Sequence, residues 1–116
     1  MKTRGFILSL VCFILIPINA FSIKITDKNW DDSVDFRSLT EPILSQDANA
    51  IYIYSEKQLD NLSIEIKDLS GNVVYSTVTT VLAGVKYPTP ITTLPKGEYF
   101  FTITKGHNYI IGYFIK

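Results

Sequence analysis

The sequence predicts an all-β protein, an antiparallel β-sandwich, on three observations. From Ala50 onward, short runs rich in Val, Ile, Thr, Tyr and Phe alternate with turn residues at spacings near those of a sandwich. No apolar period of the helical kind survives beyond Ala20. Aromatic residues, which pack well on pleated surfaces, are concentrated in the same part: all seven tyrosines, Trp30 and five of the seven phenylalanines follow residue 20.

The first twenty residues, MKTRGFILSLVCFILIPINA, have the parts of a secretory signal and are set apart from the fold. Lys2 and Arg4 form a cationic start, and the apolar run from Phe6 to Ile16 ends at Pro17. That run is short of the about 20 residues a membrane span needs, which argues against an uncleaved anchor. Ala20 offers a small residue for cleavage. Cys12 raises a rival reading as a lipid-bearing cysteine, but Val11 precedes it and the apolar run continues past it through Ile16.

Cleavage after Ala20 leaves 96 of the 116 residues and removes the only cysteine. The exported domain then has no disulfide and depends on its core, which at about 100 residues suffices for a single domain. Loss of Lys2 and Arg4 reduces eleven basic residues to nine against eleven acidic ones, a net charge of −2 without any basic cluster. Nucleic acid is therefore not an expected partner, nor is an anionic membrane surface, and no integral membrane span is expected after cleavage. The expected location is outside the cytoplasm: periplasm, cell surface or medium.

Residues 21–49 read as a partly irregular lead-in, with a short β-like run at Ile23 to Ile25, a polar WDDSVDFRS stretch and a pre-proline segment ending at Pro42. Residues 50–116 read as the sandwich core, with strands at Ile51 to Tyr54, Leu62 to Lys67, Val73 to Val81, Thr89 to Thr93, Tyr99 to Thr104 and Tyr109 to Ile115. In the second of these, Leu62, Ile64 and Ile66 alternate with Ser63, Glu65 and Lys67, so one face is dry and the other wet. The last two are apolar on both faces, as central strands are, or as strands whose outer face meets something.

The stretch IEIKDLSGNVVY sets a D-x-x-G turn between two strands. An EF-hand loop would need a glutamate about five residues beyond the glycine, and Val73 to Val78 supply no acid. The turn is thus a hairpin in which Asp68 accepts from backbone amides and Gly71, with Asn72 as a second candidate, takes positive φ. Lys105-Gly106-His107-Asn108 reads as the turn joining the last two strands.

Catalytic chemistry finds little to work with. His107 is the single histidine, so a zinc site would consist almost wholly of carboxylates, which zinc seldom uses. No G-x-S-x-G occurs. Asp31, Asp32, Asp35 and Glu41 form the one acidic cluster; paired carboxylates can cleave glycosides, but a domain this small has little room for a cleft, and a solvated lead-in paired with Arg37 is the better reading. No catalytic, metal or cofactor site is expected. The surface feature that stands out is aromatic: alternation along the strands nominates Tyr52, Tyr54, Phe100, Ile110 and Phe114 as a partner-binding face. The same residues could instead be cross-strand packing, or lie under a lead-in held by Trp30.

Two segments carry a family resemblance. DLSGNVVY at Asp68 to Tyr75 and ITTLPKGEY at Ile91 to Tyr99 resemble signatures of the C-terminal β-sandwich domains that sort cargo through the type IX secretion system of Bacteroidetes. The chain is more similar still to the DUF3244 family of small exported Bacteroides-type proteins of unknown function. Trp30-Asp31-Asp32, Arg37-Ser38 and Pro42 match that family's lead-in, and the run from Gly106 to Phe114 matches its closing strand. The resemblance implies an immunoglobulin-like sandwich, and in such a fold Tyr99 is expected to bond back to the corner before it. It implies no known activity. The first functional expectation is a non-catalytic exported module binding a protein or a glycan through an edge strand or aromatic face; the alternative is a trafficking module of the sorting-domain kind.

Overall fold

The structure, a computed structural model, describes residues 22–30 and 41–116. The proposed signal, residues 1–20, and the acidic residues Asp31, Asp32 and Asp35 lie outside them. Among the described residues, eight strands form two antiparallel sheets: β1 (Lys24–Asn29), β2 (Ile43–Gln46), β3 (Ala50–Tyr54), β4 (Leu59–Asp68), β5 (Val73–Val81), β6 (Tyr87–Pro90), β7 (Glu98–Lys105) and β8 (Asn108–Ile115). The larger sheet runs β1-β8-β7-β4-β5 and the smaller β2-β3-β6.

The period-two pattern of β4 organises the core. Leu62, Ile64 and Ile66 are fully buried, and their neighbours across the register with β7, Ile103 and Phe101, are buried with them. From β8 come Ile110 and Phe114, and the smaller sheet adds Ile51 and Ile53 from the facing side. Sequestering each such side chain contributes about 1.5–3 kcal/mol. β4 begins three residues before the run its alternation marks. The register with β5 shifts between Leu59 and Leu62, and Asn61 there takes a φ of 55°, a left-handed conformation that asparagine tolerates at a bulge.

Both described parts of the lead-in contain a strand. β1 pairs with β8, and β2, which no sequence pattern announces, pairs with β3. Ile23, Trp30 and Leu44 pack against the core, and Lys28 Nζ donates to Glu41 Oε2 at 2.6 Å, tying the two lead-in segments together. The strand expected at Thr89 to Thr93 lies earlier, at Tyr87–Pro90. Ile91 leaves the ladder to bury its side chain, and its carbonyl accepts from Leu94 N at 3.1 Å in a turn.

The turns follow their chemistry. Asp68 Oδ1 accepts from the amides of Ser70 and Asn72, both at 2.9 Å, and Gly71 alone takes the positive φ, 91°. Gly106 takes φ 61° in the two-residue turn between the paired Lys105 and Asn108. The Tyr99 hydroxyl donates to Pro95 O at 2.6 Å, the bond expected of it.

Candidate functional site

The five residues nominated as a partner-binding face do not share one. Ile110 and Phe114 are 2% and 1% exposed, so they belong to the core and the expectation for them is corrected. The cause is register. Tyr99 stands opposite Phe114 and Phe100 opposite Tyr113, so the inward set of β8 is Ile110 and Phe114, and the outward set is Tyr109, Ile111, Tyr113 and Ile115. Phe114 stacks on the buried ring of Tyr99 with centroids 5.4 Å apart.

Phe100 is on the outer face of the larger sheet, partly exposed, with Tyr113 beside it edge-on at 5.8 Å. The polar ends of this face are occupied. The Tyr113 hydroxyl donates to Glu98 Oε1, and the Tyr109 hydroxyl donates to Asp27 Oδ2 at 3.3 Å. The bond to Glu98 raises the Tyr113 phenol above its ordinary pKa, while for Tyr109 the charge of Asp27 is the leading cause of a rise. These are cross-strand pairs that knit β1, β7 and β8.

Tyr52 and Tyr54 lie on the other side of the molecule, on the outer face of the smaller sheet, because Ile51 and Ile53 between and before them point inward. Tyr52 is opposite Ser45 on one flank and Pro88 on the other; Tyr54 is opposite Ile43, whose side chain is 61% exposed. Along the strand the two phenol rings are set about 7 Å apart at their backbone origins.

Tyr52 is held at both ends. Its hydroxyl donates to Asp47 Oδ2 at 2.9 Å, and Lys86 Nζ stands 5.7 Å from its ring centroid. Asp47 is fixed in turn: its Oδ1 accepts from Asn49 N at 2.8 Å and Ala50 N at 2.9 Å, an Asx turn that leads into β3. The Asn49 amide, then the Tyr52 hydroxyl, then the Ala50 amide hold the Asp47 carboxyl below the usual range. The same bond to Asp47 raises the Tyr52 phenol. Asp47 and Lys86 escaped the sequence reading. The spacing Asp47-x-Asn49 before a strand is a readable Asx signal, whereas Lys86 reaches Tyr52 only through the pairing of β3 with β6.

This face presents aromatic and apolar surface and holds no convergent set of ionisable groups among the described residues. Asp68 spends its carboxylate on turn amides, first that of Asn72, which hold it below the usual pKa. No group of three or more His, Cys, Asp or Glu side chains converges among the described residues. No helix among them is long and apolar enough to cross a membrane.

A family model described as a domain of unknown function, DUF3244, matches residues 23–115. A solved structure from Bacteroides vulgatus, described as a DUF3244 family protein with an immunoglobulin-like β-sandwich fold, superposes with a TM-score of 0.62 at 22% identity, covering 81% of this chain and 98% of that one. A comparison with curated proteins finds no match.

Proposed function

The chain belongs to the DUF3244 family and has its immunoglobulin-like sandwich fold, and from that premise we propose that it is a non-catalytic binding module that works outside the cytoplasm. The observation that carries this reading is the Tyr52/Tyr54 face. Two partly exposed tyrosines stand side by side on a narrow sheet with the exposed Ile43 and with Pro88, and Tyr52 is locked by Asp47 and Lys86 before any partner arrives. A tyrosine has few rotatable bonds, and one already held in place surrenders little further freedom on binding. The face suits a protein surface or the apolar side of a sugar ring. The N-terminal signal supports action outside the cytoplasm.

The two segments that resemble sorting-domain signatures have structural duties here. Asp68 and Gly71 build the β4–β5 turn, and Tyr99 bonds to Pro95. They therefore add no weight to a trafficking role.

The test is direct. The protein, expressed with its own N-terminal segment so that processing follows its natural course, is probed on a glycan array and by cross-linking to an envelope fraction. A Y52A/Y54A variant of unchanged circular dichroism is the control. Partners captured by the wild type and lost by the variant support the reading; partners retained by the variant remove this face from consideration.

A further inference from the structure

A sheet edge offers a row of unpaired amides and carbonyls to any strand that can line up with it. The described strands leave four edges: β1 and β5 in the larger sheet, β2 and β6 in the smaller. Three are blunted. β1, with sequence KITDKN, carries charges at Lys24, Asp27 and Lys28 and is interrupted by a register shift between Ile25 and Asp27. β6 is YPTP, and its two prolines have no amide to donate. β2 is only four residues long, and its end is tied to the larger sheet by Gln46 Nε2 donating to Ile115 O at 3.2 Å.

β5 carries neither charge nor proline, and although its ladder with β4 shifts register near both ends, between Val73 and Tyr75 and between Thr79 and Val81, it is unbroken from Tyr75 to Thr79 in the middle of the strand. Its nine residues, VVYSTVTTV, include no acid, base, proline or glycine, and they extend for about 30 Å. The uncharged stretch is longer than the strand: no acidic or basic residue occurs between Asp68 and Lys86. Exposed large hydrophobic side chains gather in the same place. Leu69, Val73, Val74, Val78, Leu82 and Val85 belong to this stretch, and among the described residues only Ile25, Ile43 and Ile115 lie elsewhere.

We propose that β5 is a pairing edge and that its partner is β5 of a second copy of this chain, joined antiparallel about a twofold axis into one continuous ten-stranded sheet. A twofold interface sets the same patch against itself, so any charge near the axis would meet its own kind. β5 has no charge to meet. With the axis at Thr77, Ser76 of one copy stands opposite Val78 of the other and Tyr75 opposite Thr79. Each pair then lies on one face of the sheet, because Ser76 and Val78 pair with Glu65 and Ser63 on the outer face of β4, and Tyr75 and Thr79 with Ile66 and Leu62 on its inner face. A charged peptide would find no complement along this edge, which favours a second copy as the occupant. The blunted β1 at the far side of the same sheet stops the assembly at two copies instead of letting it grow into a fibre.

This proposal is independent of the Tyr52/Tyr54 face, which lies on the other sheet, and the two can fail separately. Sedimentation of the protein, expressed with its own N-terminal segment, is followed from about 1 μM to about 1 mM. The expected result is a species of two chains with slow amide exchange along β5. Val78→Lys, at a side chain 64% exposed, should raise the dimer Kd at least about tenfold while leaving the circular dichroism of the monomer unchanged. Thr80→Lys on the same exposed row serves as the second variant should V78K fold poorly. A monomer throughout the range overturns the proposal. So does a dimer that the well-folded variant leaves intact, growth beyond two copies, or a β5 edge protected only when a different protein is added.

Discussion

The hydroxyl of Tyr99 donates to the carbonyl of Pro95, four residues upstream, at 2.6 Å, and so closes the corner through which the chain enters β7. The ring of Tyr99 is 5% exposed and stacks on Phe114, so the residue serves the core with its face and the corner with its edge. Tyr99→Phe keeps the ring and removes only the donor. It should cost about 1 kcal/mol, seen as a lower urea midpoint at unchanged slope. A cost near zero would mean that solvent serves the Pro95 carbonyl equally well.

The division between core and open face gives a second prediction. Phe114→Ala and Ile110→Ala should destabilise by about 2–5 kcal/mol each, because they open cavities between the sheets. Tyr54→Ala, on the outer face of the smaller sheet, should stay within about 1 kcal/mol of wild type. Denaturant titration of the three variants checks this; a mild Phe114→Ala would contradict its place in the core.

Acid should weaken the fold through two turns. The carboxyls of Asp47 and Asp68 are both held below their ordinary value by backbone amides. Groups with a depressed folded pKa lend stability above their unfolded pKa, about 3.9, and that stability is lost as pH falls through the folded value. Thermal melts should therefore show a falling Tm from about pH 5 downward, and a flatter profile in D47N/D68N. A double variant with the wild-type slope would shift the effect to other carboxylates.

Gly112 and Ile23 test how the lead-in docks. A Cβ on Gly112 would come within 2.7 Å of Ile23 Cδ1 and 2.8 Å of Ile23 Cγ1, so the glycine makes the space that Ile23 fills. Gly112→Ala should cost about 1–3 kcal/mol, and Ile23→Ala in the same chain should recover part of that loss. Stability measured across the four members of this cycle decides it; strictly additive costs would mean that the two residues do not compete for the space.

Legibility in the sequence tracked how local the determining chemistry is. The ends of β5 are legible because a run rich in β-branched residues extends from Val73 to Val81 between a turn and Leu82. The Asp68 to Asn72 turn is legible because it needs only a few consecutive residues, and the Tyr99 corner through the resemblance to a sandwich family. β2 is not legible, since Ile43–Gln46 is too short to show a period and exists by pairing with β3. Half of the Tyr52 site was missed for the same reason: Lys86 comes to the ring through β6.

The sequence by itself determined an all-β chain, its main turns and the two faces of β4, because alternation, turn chemistry and the polarity of Ser63, Glu65 and Lys67 are local properties. Only the tertiary structure decided which face of β7 and β8 is inward. Both strands are apolar on each side, so alternation separates their residues into two sets without choosing between them. The choice comes from β4. Its dry face, through the non-sequential pairing of Ile66 with Phe101 and Lys67 with Phe100, fixes β7, and β7 fixes β8 by setting Tyr99 opposite Phe114. Strand order likewise made β5 an open edge and enclosed β7 and β8, a distinction that residue composition alone does not carry.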